Sequence, residues 1–508
     1  MPEPIRAKPL AFLLHWVAEN RGLDRSSAAY IGNPMRDPID PAARLDAFRA
    51  EIGDIPLIDD LQTRKAMSRD WSSVSPLLRK SLRGRIADAV AIPRDRAQIA
   101  TLIRAAVRTG MPLIARGGGT ANYGQSVPLA GGVTIDFRHF AGIVAHNKTR
   151  MRALAGTNMD VLDAELRAAG TELRIHPSTR HVSTLAGFIA GGSGGIGSIR
   201  WGLLRDRGNI SAIKLLSIEE TPREIELRGK DVLLAHHAYG TNGLIVEIEM
   251  PLESAWDWRE LVFAFPDFKA ALEAGLRLGH EDALLLKVLS LQEWPIARLM
   301  PALGAAVPEG HTMISTMAAA QHRDEVVELA AEYGGRLVHD HAEGRGPYGE
   351  PLYRFCYGHS LMQVQKKDMK YTSVQTMFGG DDLRGQLLGL HPEFAGKMPF
   401  RLEFQKSQGK LVAVGSPLFL YESEAQMADV VRRVQASGAH VANSHTTSIR
   451  NVGMKNLTQA DLDFTRAMDP HGLLNPGKVD LDDETLETEL GVSGWHFEEG
   501  GVEKTAAR

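Results

Sequence analysis

Between residues 86 and 251 the apolar positions fall into short runs cut by glycine and proline, and their period switches between two and 3.6. Residues 87–92 read as a strand that stops at Pro93. Asp95, with Gln98 three residues on, has the form of a capping box, and Ile99, Leu102, Ile103, Ala106 and Val107 then keep one helical face until Gly110. Residues 111–115 read as a buried strand that runs into Arg116-Gly117-Gly118-Gly119-Thr120. A second round follows, with strands at 133–137 and 152–155, a helix capped by Asn158 that carries Val161, Leu162, Leu166 and Ala169, and a strand at 173–175. Residues 184–190, capped by Ser183, predict a short helix opening into Gly191-Gly192-Ser193-Gly194-Gly195-Ile196-Gly197, while residues 198–202 carry no helix signal. Strands resume at 210–217, 223–227 and 243–251.

From residue 252 to 440 glycine thins out, and helices such as 268–278 and 422–436 alternate with strands, the pattern of a second, α+β domain. Residues 441–480 form a dense closing segment, and the acidic, then glycine-rich tail 481–508 is expected to fray. Residues 1–85 read as an N-terminal extension without identifiable chemistry. Its apolar run 10–17 follows Arg6 and Lys8 but is interrupted by His15 and lacks a small-residue cleavage site, so it reads as an amphipathic helix on the protein's own surface rather than a signal peptide.

Composition narrows the classes further. The 508 residues carry a formal net charge of −4 with both signs interspersed and no Lys/Arg-rich block, so a nucleic-acid face is not indicated. The single cysteine, Cys356, excludes an internal disulfide framework and a cysteine-based zinc site. No apolar run reaches the ~18 residues a membrane-spanning helix needs. A cytoplasmic protein without an integral membrane segment is expected, with a homodimer as the base-rate assembly.

The candidate chemistry lies in the glycines. Gly192-Ser193-Gly194-Gly195-Ile196-Gly197 fits G-x-G-x-x-G, yet the Rossmann form needs a strand immediately before it and a helix immediately after, and here a short helix precedes it. Two glycine clusters about 75 residues apart, each closing a regular element, instead suggest two walls around a diphosphate, because side-chain-free backbone approaches phosphate closely.

These residues carry a resemblance. Residues 87–250 look like the FAD-binding domain of the vanillyl-alcohol oxidase / p-cresol methylhydroxylase superfamily (PCMH type), nearest in texture to the branch of glycolate oxidase FAD subunits and D-lactate dehydrogenases. Arg116, Gly117, Gly118, Gly119 and Thr120 resemble its first pyrophosphate loop. Pro177, Ser178, Thr179, Ser183, Thr184, Gly187, Gly191, Gly192 and Gly194 resemble its second. Gly243 and Ile245 resemble the segment at the adenine end, and Asp469 to Lys478, with Asn475 and Lys478 as cofactor candidates, resembles the closing return to the flavin. The resemblance implies an α+β fold: a two-subdomain FAD-binding domain over 86–251, a cap or substrate domain with an antiparallel sheet over 252–440, and a closing segment over 441–480.

It also implies FAD held non-covalently, since Thr120 stands where many covalent members have a histidine. No metal is expected, because Ser444 replaces the branch's glutamate beside His445, and Leu411 to Pro417 lack its ligand histidines. His445 is the expected catalytic base. Tyr357 and His359, alternating on an expected strand, are substrate candidates together with Arg450. Lys455 is a further anion-binding candidate, whereas His139, His236 and His237 read as structural. The expected function is oxidation of a CH–OH donor, a hydroxy acid or alcohol, by hydride transfer to FAD, as a dehydrogenase with an electron acceptor other than O₂ or as an oxidase. An aromatic alcohol donor is one alternative, and a catalytically silent electron-transfer subunit of a larger complex is the other.

Overall fold

In the computed structural model, which describes residues 40–479, three sheets follow one another along the chain. The first contains β1 (Leu57–Ile58), β2 (Ala89–Ala91), β3 (Leu113–Arg116) and β4 (Val133–Asp136) in the order β1-β2-β4-β3. β2, β4 and β3 run parallel and are almost wholly buried, Thr134 and Asp136 of β4 included. The crossover helix Arg96–Thr109 starts where Asp95 accepts from the Gln98 N–H at 2.8 Å and ends at left-handed Gly110. Only half of the expected capping box forms, because the Gln98 side chain accepts from the N–H of Arg94 instead. Residues 40–85 are no mere appendage: β1 pairs with β2, and Phe48, Ile52 and Ile55 enter the same core. From the other end of the chain, the Leu113 N–H donates to Leu473 O and the Asn475 N–H to Leu113 O, so the closing segment lies along β3.

The second sheet gathers β5 (Ile143–His146), β6 (Arg150–Leu154), β7 (Thr171–Leu173), β8 (Ala212–Leu216) and β9 (Glu224–Arg228) around the long β10 (Leu244–Ser254), all antiparallel. Asn158 caps the helix Met159–Ala168 as expected. The helix Leu185–Gly191 is capped by Thr184 rather than Ser183. Residues 198–202, expected to lack helix, contain the one-turn helix Ser198–Trp201. Its N-cap, Gly197, makes no side-chain hydrogen bond, so nothing in the sequence announces it; the Gly197 N–H is instead fixed to Lys287 O at 2.9 Å.

The third sheet has nine strands: β11 (Trp258–Phe265), β12 (Leu286–Gln292), β13 (Thr312–Ala319), β14 (Arg336–Ala342), β15 (Tyr371–Ser373), β16 (Gln375–Phe378), β17 (Phe400–Ser407), β18 (Lys410–Leu420) and β19 (His440–Ala442). Every pairing in it is antiparallel. Leu261, Phe263, Leu291, Leu402 and Phe404 point from one face into a core closed by the helices Phe268–His280, Arg323–Glu332, Leu383–Phe394 and Glu424–Ala436. The α+β class and the antiparallel cap sheet are as expected. Among the described residues no helix is long and apolar enough to cross a membrane. The expected helix at 10–17 and the expected frayed tail 481–508 lie outside the described residues.

A buried ion pair ties the second sheet to the third. Glu172 on β7 and Lys287 on β12 are both fully buried, 3.5 Å apart. Trp258 Nε1 donates to both Glu172 oxygens at 3.1 Å, Arg167 also pairs with that carboxylate, and the Lys287 ammonium sits 5.0 Å from the Trp258 ring centre. Removing one partner of such a pair strands a charge in low dielectric. Glu172→Ala is therefore expected to lower stability by about 3–5 kcal/mol, measurable as a fall in the urea midpoint.

Candidate active site

The sheets enclose a cleft of about 580 Å³, walled on one side by the two glycine loops and on the other by the third sheet. The first loop leaves β3 at Arg116, whose guanidinium folds back onto Arg69 O (2.9 Å) and Gly117 O (3.1 Å). Gly119, at φ 66°, leaves the room that this guanidinium fills. A Cβ at Gly117 would overlap Thr184 Oγ1, and one at Gly118 would overlap the Val182 carbonyl oxygen, so the two loops touch backbone to backbone. A hydroxyl chain joins them as well: Thr120 Oγ1 to Ser183 Oγ at 3.0 Å, and Ser183 Oγ to Thr179 Oγ1 at 2.7 Å.

Residues 116–120, Pro177, Ser178, Thr179, Ser183, Thr184, Gly187, Gly191, Gly192, Gly194, Gly243 and Ile245 all line the cleft. His237, expected to be structural, reaches it too. The His237 ring occupies the space a Cβ of Gly192 would need, and its Nδ1 lies 3.2 Å from Gly192 O. Asn475 and Lys478 stand behind the wall rather than on it. Asn475 Nδ2 donates to Gln125 O (2.7 Å) and Tyr239 O (2.8 Å), and the fully buried Lys478 ammonium donates to Gly124 O (2.6 Å). They hold the chain that follows the first glycine triplet.

Three other candidates are displaced. His445 does not line the cleft. Its N–H bonds to Asn443 Oδ1, and its ring Nδ1 lies 2.7 Å from Ser75 Oγ, while burial pushes its pKa down to about 4. Gln375, Thr376, His440 and Ala442 form the wall at that place. Arg450 also lies off the cleft, and Lys455 is consumed by the carbonyls of Leu233 and His236 and by Asp461 at 3.2 Å.

Tyr357 and His359 do line the cleft, but not on a strand. Tyr357 precedes the helix Gly358–Gln365 with φ 57° and ψ −148°, a conformation costly for a residue with a side chain, and His359 lies in the first turn of that helix. Alternation cannot bring them together. What holds Tyr357 is β17: the carboxylate of Glu403 accepts its N–H at 2.5 Å, and the guanidinium of Arg401 donates to its C=O at 3.2 Å. Its hydroxyl lies 3.1 Å from Ser198 Oγ.

The residues missed from sequence are therefore Arg401, Glu403 and Gln405, which line the cleft from alternate positions of β17. The signal was present in Phe400-Arg401-Leu402-Glu403-Phe404-Gln405, a strict apolar–polar alternation on a strand that proves buried on both faces. Arg401 Nε has no hydrogen-bond partner among the described residues, and burial lowers the guanidinium's pKa. Burial raises Glu403 to about 8 and lowers His359 and His237 to about 4.

This cavity suits a dinucleotide. The N–H groups of Gly118, Gly119 and Thr120 meet no backbone acceptor among the described residues, leaving them for a diphosphate. Gly191 lines the cleft, and a Cβ added there meets nothing within 4 Å, so any side chain would project into unfilled space.

Residues 87–211 match the family model described as an FAD binding domain. Over those residues the chain carries an FAD-binding domain. Its cofactor is FAD. The chain is 28% identical over 121 residues to the glycolate oxidase subunit GlcD of Bacillus subtilis, an alignment spanning 23% of this chain and 26% of that protein. It is 32% identical over 171 residues to D-2-hydroxyglutarate dehydrogenase of Pseudomonas putida (32% of this chain, 15% of that protein). It is 26% identical over 284 residues to alkyldihydroxyacetonephosphate synthase of Dictyostelium discoideum (52% and 45%). The alignments thus span less than half of each of these relatives. A solved alkyldihydroxyacetonephosphate synthase superposes with a TM-score of 0.67 at 16% identity, covering 88% of both chains. A 4-ethylphenol oxidase from Gulosibacter chungangensis gives 0.58 at 14% identity, covering 86% of this chain and 96% of its own. At those identities the likeness is one of fold.

The loop-to-loop contact predicts its own test. Gly118→Ala must push Val182 away and part the two walls of the FAD-binding domain. FAD affinity, measured by titrating the apoprotein, is expected to fall by at least about tenfold, equivalent to ~1.4 kcal/mol.

Proposed function

We propose that the chain is an FAD-dependent oxidoreductase that oxidises a CH–OH donor bearing an anionic group, a hydroxy acid being the simplest case. The observation that carries this reading is Arg401: a buried guanidinium on the cleft wall, forming no ion pair with the described residues, with Nε left without a partner. Among the described residues lining the cleft its one acidic neighbour is Glu403, whose carboxyl burial lifts to about 8 and so leaves largely protonated at neutral pH; a buried cation so weakly compensated is costly, and an anionic donor would supply the counter-charge. The names of the relatives agree with it, since glycolate, D-2-hydroxyglutarate and dihydroxyacetone phosphate are all anions.

Bound between the loops, FAD supplies a two-electron acceptor for hydride. The protein's part is to hold and orient. Arg401 anchors the anionic end of the donor, Tyr357 is clamped beside it, and Trp71, Tyr123 and Met362 narrow the remaining space. The cofactor is held without a covalent bond, because Thr120, in the position many covalent members give to histidine, is engaged with Ser183. A second reading, an electron-transfer subunit without a donor of its own, makes no use of the Arg401 anchor.

The visible spectrum of the purified protein, taken before and after acid precipitation, tests the cofactor reading. Yellow colour is expected to move into the supernatant; colour retained in the pellet would point to attachment through a cleft histidine such as His359. Anaerobic mixing with 2-hydroxy acids and with neutral aryl alcohols is then expected to bleach the flavin with the former. Arg401→Gln is expected to raise KM for the acid on the order of 10- to 100-fold while FAD content is unchanged. Bleaching by neutral alcohols alone would remove the anionic donor, and no bleaching at all would favour the electron-transfer subunit.

A further inference from the structure

Among the described residues that line the cleft, Glu403 is the only one with a carboxyl group. It sits mid-way along the polar stripe of β17, between Arg401 and Gln405, and is 1% exposed. One oxygen, Oε1, is committed to the N–H of Tyr357, and Oε2 is buried without a hydrogen-bond partner. Gln405 marks the end of the stripe nearest the second glycine loop, since its Oε1 would lie 3.2 Å from a Cβ on Gly194. Arg401 faces Tyr123 at the other end. Glu403 therefore stands between the residue that anchors the donor and the loop that holds the cofactor.

We propose that Glu403 accepts the hydroxyl proton of the donor, an inference that rests on the oxidoreductase reading above. The donor O–H bond breaks and its electron pair becomes the second C=O bond; the hydrogen on carbon departs with its own pair to bound FAD; the proton ends on Glu403. The carboxyl is faced by Arg401 from the same strand, by Ser290 across on β12, and by Tyr357 and Cys356 from the turn before the helix Gly358–Gln365. Burial pushes the Cys356 thiol and the Tyr357 phenol upward, so both stay neutral, and among the described residues Arg401 is the one charge acting on Glu403. Burial outweighs that attraction and lifts the carboxyl to about 8. His359 and His237, held near 4, are poor proton acceptors at neutral pH by comparison.

The test uses the FAD-loaded protein and the variant Glu403→Gln, whose amide oxygen can still accept from Tyr357. First, the visible spectrum of the oxidised protein is titrated between pH 6 and 10 without any donor. Wild type is expected to show one perturbation with its midpoint near 8, and Glu403→Gln none. Second, the anaerobic rate of flavin bleaching by a 2-hydroxy acid is followed over the same range. It is expected to rise with pH in wild type, level off above 8, and fall about a hundredfold or more in Glu403→Gln with the pH step gone. Glu403→Asp is expected to keep the step at a reduced rate. A spectral titration unchanged in Glu403→Gln, or bleaching within threefold of wild type, overturns the assignment. Absence of bleaching by any donor, with the titration lost in Glu403→Gln, would instead leave the Glu403 site in place and overturn the donor reading.

Discussion

The architecture of this protein rests on one close approach: the backbone of Gly117 and Gly118 against Thr184 and Val182. Neither position tolerates even a methyl group, and the contact lies between a loop leaving the first sheet and a loop entering a helix of the second. Two sheets with separate hydrogen-bond ladders are joined there at van der Waals distance. Thr120, Ser183 and Thr179 then stitch the seam with hydroxyls. The consequence is a wall dense in N–H groups and poor in side chains, which is what an extended diphosphate requires. The closing segment serves the same wall indirectly, with Asn475 and Lys478 fixing the backbone at 124–125 from behind.

The cap sheet meets this wall with a surface of the opposite kind. A sheet layered between helices and a second core should be apolar on both faces, yet β17 turns an arginine, a glutamate and a glutamine toward the cleft while Leu402 and Phe404 pack normally on the other side. Such groups oppose folding unless they are paired, and here much of their hydrogen bonding goes to the peptide groups of a single residue, Tyr357, in a conformation worth roughly 1–3 kcal/mol of strain. The strain, the polar stripe and the cleft coincide. That coincidence is what supports reading the stripe as part of the proposed site rather than as a packing irregularity.

Legibility from sequence followed the range of the interactions. The first two sheets were readable because their signals are local: Asp95 and Asn158 at helix starts, Gly110 at a helix end, parallel strands as short runs rich in apolar residues. Ser198–Trp201 was not, because its N-cap makes no side-chain bond and its anchor, Lys287 O, is some ninety residues away. The cofactor loops were legible for the same local reason, and their residues do line the cleft. The reacting side was not. His445 was favoured for its closeness in sequence to the closing motif, but the turn at Asn443 delivers its ring to Ser75. Residues 40–85, which look featureless as text, supply Ser75 and also Trp71 at the cleft. The placement of Glu403 depends on β17 pairing with β12 and β18, a register that composition does not reveal.

Burial also sorts the acid–base groups of the cleft. Desolvation disfavours whichever form is charged, so a dry site drives imidazoles down and carboxyls up. His237 and His359 near 4 and Glu403 near 8 are thus products of a single physical cause acting on groups of opposite sign. An active site built this way reverses the usual ranking, in which histidine is the base at neutral pH and a carboxylate is the weaker one. Replacing the histidine–glutamate pair suggested by the family pattern with Ser444 and a displaced His445 therefore need not leave the cleft without a base. The same enclosure that removes histidine from the task qualifies Glu403 for it.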